Sequence, residues 1–126
     1  ATEIAAYVGR KLEMSRDNPK ASRLFAMEIL QGAPVLGATL TGRLKTLVDD
    51  KAAVIQGWID AGRLAPVDPH HLIFMIWATT QHYADFDTQI RAVLGRTELD
   101  AEAFSAARAT LDRVFLGGLA PGATRA

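Results

Sequence analysis

The chain of 126 residues contains no cysteine. A disulfide scaffold, a thiolate zinc site and a cysteine nucleophile are thereby excluded together. It also lacks an excess of either charge, since 14 Lys and Arg balance 14 Asp and Glu. Holding DNA phosphates or an anionic membrane needs a cationic surplus, and none is present. Proline is scarce, at 5 residues, and aromatic residues make up only 7%. Long apolar runs are missing too. The longest uncharged stretch in an apolar region, residues 69–84, falls short of the roughly 20 residues of a membrane crossing and carries His70, His71 and His82. The N-terminus has neither the basic start nor the apolar run of a signal peptide, so the cytoplasm is the expected location. What is present is 49% apolar residues, too many for disorder and enough for a core in one compact soluble domain.

The apolar spacing is helical almost throughout, with no hairpin signal. A first helix over residues 4–14 places Ile4, Val8 and Leu12 on one stripe, with Tyr7 beside it. Only Thr2 precedes it as a capping residue, the pattern of a chain that enters in mid-element. Three later starts are written in side-chain chemistry. Asn18-Pro19 offers a polar cap and a proline at the first helical position, where a missing N–H costs nothing. Asp68-Pro69 repeats the device, with Val67 placed to staple onto Leu72. Asp100 opens the last helix, with Leu99 and Phe104 as a second staple.

Between these starts, Gln31-Gly32-Ala33-Pro34 ends the second helix. Thr41-Gly42 then leads into a long helix to about residue 61, with Leu44, Leu47, Val48, Ile55 and Trp58 on one face and Gly62 as its stop. The final helix spans residues 101–116 with Phe104, Ala107, Leu111, Val114 and Phe115 at helical spacing. Gly117-Gly118 ends it, and residues 121–126 form a frayed tail. The expectation is one all-α domain of five or six helices over residues 1–126.

One helix differs from the rest. Over residues 72–78 nearly every position is apolar, so every side demands cover. Either a partner subunit covers one face and the core the other, or the helix lies at the centre of a monomer.

Candidate chemistry is thin. His70 and His71 are adjacent and diverge by about 100° on a helix. His71 and His82 share a face but stand about 16 Å apart by helical rise. His82 and Asp85 offer two metal ligands with nothing to complete the set, so no metal or other cofactor is expected. No nucleophile elbow, phosphate loop or His-Glu-x-x-His is present, and no catalytic residue is assigned. Asp49-Asp50 fits a solvated face. Glu28 lies beside Leu24 and Phe25 on an apolar stripe, where a buried carboxylate needs Arg16, Arg23 or a ligand. An enzyme would require Glu28, His82 and Asp85 to converge. The most informative segment holds Trp77 and Gln81, i,i+4 neighbours that set an indole face beside an amide, with Thr80 on the border. That pair suits a small planar heterocycle with amide edges; it equally suits a core tryptophan beside a glutamine bonded to backbone.

The passage Gly62-Arg63-Leu64-Ala65-Pro66-Val67-Asp68-Pro69, followed by an apolar helix, a loop and an amphipathic last helix, resembles the C-terminal half of TetR-type transcriptional regulators. Closer wording resembles the RutR-like branch that regulates pyrimidine utilisation. It is carried by Lys11-Leu12-Glu13-Met14-Ser15-Arg16-Asp17, Ala21-Ser22-Arg23-Leu24-Phe25, His71-Leu72-Ile73-Phe74-Met75-Ile76-Trp77-Ala78 and Gln81-His82-Tyr83-Ala84-Asp85-Phe86. The likeness is close from Tyr7 to Phe86 and looser in the last helix.

The resemblance implies an all-α effector-binding and dimerisation domain whose last two helices pair with a partner's in a four-helix interface. It implies a homodimeric repressor that loosens its grip on DNA when uracil or thymine binds. Trp77 and Gln81 match positions lining the pyrimidine pocket, and Thr80, Phe25, Trp58 and Met14 are added by expected proximity. The dimer face would draw on Phe74, Ala78, His82, Leu111, Val114 and Phe115. The helix-turn-helix domain of the family does not appear in these residues, and no Lys- or Arg-rich recognition helix precedes Ile4. A more hydrophobic ligand, or a helical dimerisation module with no ligand, is the competing expectation.

Overall fold

The computed structural model describes residues 1–122, which form helices and turns with no strand. In chain order these are α1 (Thr2–Asp17), α2 (Pro19–Leu30), one turn of α3 (Gly37–Thr39), a π-helical stretch (Leu40–Leu44), α4 (Lys45–Asp60), α5 (Pro69–Asp85), α6 (Asp87–Leu94) and α7 (Ala101–Leu119). Of the predicted tail at residues 121–126, positions 123–126 lie outside the described residues.

Helix α5 is the axis of the molecule. It packs against α1, α2, α4 and α6, while α1 also packs against α7. Ile4 and Val8 of α1, Val48, Ala52 and Ile55 of α4, Leu72, Ile73 and Ile76 of α5, and Phe115 and Leu119 of α7 meet in one core. The apolar run on α5 is covered on one side only. Leu72, Ile73 and Ile76 are buried, whereas Phe74, Met75 and Ala78 remain exposed. Helix α2 has no buried residue at all, and its Leu24 points outward at 71% exposure.

Two of the three predicted caps form as expected. Asp68 accepts the His71 N–H at 3.1 Å and Asp100 the Ala103 N–H at 2.9 Å. Asn18 makes no side-chain cap. It also directly follows α1 as its C-cap, and its backbone N–H is tied to the Met14 carbonyl at 2.8 Å while its carbonyl accepts from the Ser22 N–H. Ending one helix leaves Asn18 at φ −131°, ψ 53°, where its side chain does not close onto α2.

Two predicted boundaries move. Thr41-Gly42 lies inside the π-helical stretch, so the helix is under way from Gly37. There the Thr41 hydroxyl donates to the carbonyls of Gly37 and Ala38, and the Thr46 hydroxyl to that of Gly42. Hydroxyl back-bonding around a poor helix former widens the turn without breaking it. At the other end, α7 runs through Gly117-Gly118 to Leu119. Leu119 is buried and its carbonyl accepts the Ala65 N–H at 2.9 Å, so a tertiary anchor overrides the helix-ending tendency of the glycines.

The cap on α5 carries a pH signature. The His71 N–H holds the Asp68 carboxyl below its ordinary 3.8, and Lys45, then His70, does the same for Asp49. A carboxyl with a lowered folded-state pKa stabilises the fold above its unfolded value, and that contribution is lost as pH falls through the folded value. Urea midpoints should therefore decline below about pH 4, and less steeply for Asp68→Asn than for the unaltered chain. Equal slopes would remove Asp68 from the acid limb.

Candidate functional site

Helix α5 delivers Trp77 and Gln81 one turn apart on the side that meets α1. The two α1 residues opposite them, Tyr7 and Lys11, are also one turn apart. The Trp77 Nε1–H donates to the Tyr7 hydroxyl at 2.8 Å, and the Lys11 ammonium stands 6.0 Å from the Trp77 ring and 5.8 Å from the Tyr7 ring. The indole is half-buried and held in place by its own hydrogen bond.

Beside this cluster lies a cleft of about 260 Å³ lined by Lys11, Met14, Ser15, Asn18, Ala21, Ser22, Phe25 and Gln81. Three predicted residues, Met14, Phe25 and Gln81, thus meet in one place. Ser15 is buried in its wall, while Met14 and Phe25 remain exposed at the rim. The Ser22 hydroxyl is already committed, donating to Asp85 at 2.6 Å. Arg23 ties α2 to the end of α5 through the Ala84 carbonyl at 3.1 Å and to the start of α6 through Asp87 at 3.7 Å. The Gln81 carboxamide bonds to no other side chain or backbone group among the described residues, which leaves a donor and an acceptor open to a guest.

The other predicted residues separate from this group. Thr80 is fully buried, and its hydroxyl donates back to the Ile76 carbonyl at 2.7 Å. Trp58 lines a second cleft of about 210 Å³ between α1, α4 and α5. Tyr7 lines that second cleft and Lys11 the first, and the two clefts share no lining residue.

On the outer side of α5, Phe74 and Ala78 are exposed one turn apart, followed by His82 stacked on the ring of Phe86 at 5.0 Å. Met75, absent from the predicted dimer face, is 55% exposed beside Phe74. On α7, Val114 is exposed, Leu111 packs partly buried against the core, and Phe115 is in the core at 6% exposure. Phe115 thus belongs to the interior of its own subunit and offers no outer face.

The expected ion pair of Glu28 does not form. Gly32 and Ala33, both at positive φ (90° and 55°), turn the chain back after α2. The N–H groups of Val35 and Leu36 then donate to the Glu28 carboxylate at 2.6 and 3.0 Å. Glu28 closes a loop, Asp85 serves Ser22, and His82 stacks at the surface; the three do not share a pocket. Among the described residues, no three His, Asp or Glu side chains cluster as metal ligands.

Spacing on α1 contained a signal that sequence reading passed over. Tyr7, Lys11 and Ser15 recur at i,i+4, a stripe facing the Trp77–Gln81 side of α5. Reading the two stripes against each other would have found Tyr7 and Lys11.

Comparison with known proteins decides the family. The family described as "YcdC-like protein, C-terminal region", one of the TetR C-terminal families, matches residues 1–122. The chain belongs to this TetR-type family. As a TetR-type C-terminal domain it is similar to the HTH-type transcriptional regulator RutR of Escherichia coli K12, with 54% identity over 118 residues. The regulators of the same name from Escherichia coli O157:H7 and Shigella flexneri match with the same identity over the same length. Each alignment covers 94% of this chain and 56% of the relative, so the chain spans about half the length of the curated relatives it matches. These TetR-type relatives are transcriptional regulators, which points away from an enzyme. No helix among the described residues is long and apolar enough to cross a membrane.

Proposed function

We propose that this TetR-type domain senses a free pyrimidine base, uracil or thymine, and dimerises through the outer face of α5 together with α7. The observation that carries the reading is the cleft in which the unbonded Gln81 carboxamide meets Lys11, Met14 and Phe25 beside the Trp77 indole. A pyrimidine base presents alternating carbonyl and N–H groups on a flat ring. A carboxamide complements such an edge with one donor and one acceptor, Lys11 adds a cation toward a carbonyl oxygen, and Phe25 and Met14 supply apolar cover. At about 260 Å³ the cleft is smaller than the roughly 300–1,000 Å³ of drug-sized pockets, as a single six-membered ring requires.

The regulatory step is a population shift. The base binds one arrangement of α1, α2 and α5 better than another, and that preference passes along α1 to DNA-binding heads of the kind that the names of the relatives describe. The effect on DNA is release of the repressor.

Calorimetric titration with uracil, thymine and a panel of apolar drugs tests the ligand class. Saturable binding of uracil or thymine, with weak or no binding of the apolar panel, is expected. Binding of the apolar panel alone would replace the pyrimidine reading with a hydrophobic effector, and no binding at all would favour a dimerisation module.

A further inference from the structure

The second cleft, between α1, α4 and α5, has a composition of its own. Its base is made by Ile4, Ile55, Ile73 and Ile76, all buried, and two half-buried aromatic rings, Tyr7 and Trp58, flank it. Besides Lys11, which lines the first cleft, two cations that line this one stand at the Tyr7 ring: the Lys51 ammonium at 4.5 Å and the Arg10 guanidinium at 5.9 Å from its centroid. The single carboxylate lining the cleft, Glu3, lies 3.7 Å from Arg63 outside it. Neither Arg10 nor Lys51 has an ion-pair partner among the described residues.

From this we infer that the second cleft binds a small aromatic carboxylate, its ring against Trp58 and the isoleucine base and its carboxylate toward Arg10 and Lys51. An apolar base selects a hydrophobic body, and flat rings favour a planar one. Two cations without carboxylate partners give such a molecule a charge complement that a neutral isostere lacks. The volume, about 210 Å³, limits the ligand to one or two fused rings. This site is distinct from the pyrimidine cleft, because the two share no lining residue.

The test is calorimetry with indole-3-carboxylate and its neutral analogue indole-3-carboxamide on the unaltered chain and on the Arg10→Met/Lys51→Met double variant. Both substituted residues are exposed, and circular dichroism is the check that the variant folds. The carboxylate is expected to bind at least about tenfold more tightly than the amide, and the double variant to lose about tenfold in carboxylate affinity. Uracil affinity should be the same in both proteins, which separates this site from the pyrimidine cleft. Equal binding of acid and amide, undiminished binding to the double variant, competition with uracil, or no detectable heat at millimolar carboxylate would each overturn the assignment.

Discussion

At the proposed pyrimidine site, Gln81→Ala is expected to weaken uracil binding by about 1–3 kcal/mol, roughly 5- to 150-fold, and to leave the fold intact. The loss follows from removing one donor and one acceptor that a pyrimidine edge would otherwise meet inside the cleft lined by Gln81, Lys11 and Phe25. The fold survives because the carboxamide supports nothing else among the described residues, and alanine is the better helix former. Calorimetry reads the affinity, and thermal melting reads the fold. Undiminished uracil affinity with a normal melt would take Gln81 out of the site. A collapsed melt would instead show that Gln81 is structural.

If the proposed dimer forms through the outer face of α5, Ala78→Arg is expected to convert it to monomer. Ala78 is exposed on the outer face of α5, one turn from Phe74 and one turn from His82, with Met75 alongside. Across a two-fold axis such a face meets its own copy, so one substitution introduces two guanidinium groups into the same interface. Each loses solvation there without a carboxylate partner, at a cost of several kcal/mol, which should raise the dimer dissociation constant by at least about 1,000-fold. Within one subunit the new side chain meets only solvent, so the helix content should not change. Sedimentation velocity separates the outcomes. A persistent dimer with native helicity would place the interface elsewhere, for example on the exposed apolar residues of α2.

The all-α class and the starts of α2, α5 and α7 were legible because local chemistry specifies them, whereas α6 stands where a loop was expected. Asp68-Pro69 and Asp100 cap their helices whatever the rest of the chain does, and Ile4, Val8 and Leu12 show their burial by spacing alone. Misread features depend on residues far away in sequence or on a residue with two duties. Leu119 keeps α7 helical past Gly117-Gly118 by accepting from Ala65, a partner more than fifty positions earlier. Asn18 ends α1 and so does not cap α2 with its side chain. Glu28 looks like half of a buried ion pair, yet two backbone N–H groups of the following loop take it.

The site divides along the same line. Trp77 and Gln81 could be found from one helix, because i,i+4 neighbours share a face. Their opposite numbers on α1, Tyr7 and Lys11, required knowing that α1 lies against that face. Trp58 has the residue type expected of a ligand wall, but α4 places it in the second cleft, which shares no lining residue with the first. Thr80, one position from Gln81, is rotated into the core and spends its hydroxyl on its own helix.

The most direct test of the account is a titration of the isotope-labelled chain with uracil, followed by nuclear magnetic resonance. The predicted result is saturable shifts of the Gln81 side-chain amide and the Trp77 indole N–H, with the methyl of Met14 moving in parallel. Shifts confined to Trp58 and its neighbours, with the Gln81 amide unmoved at saturation, would contradict it.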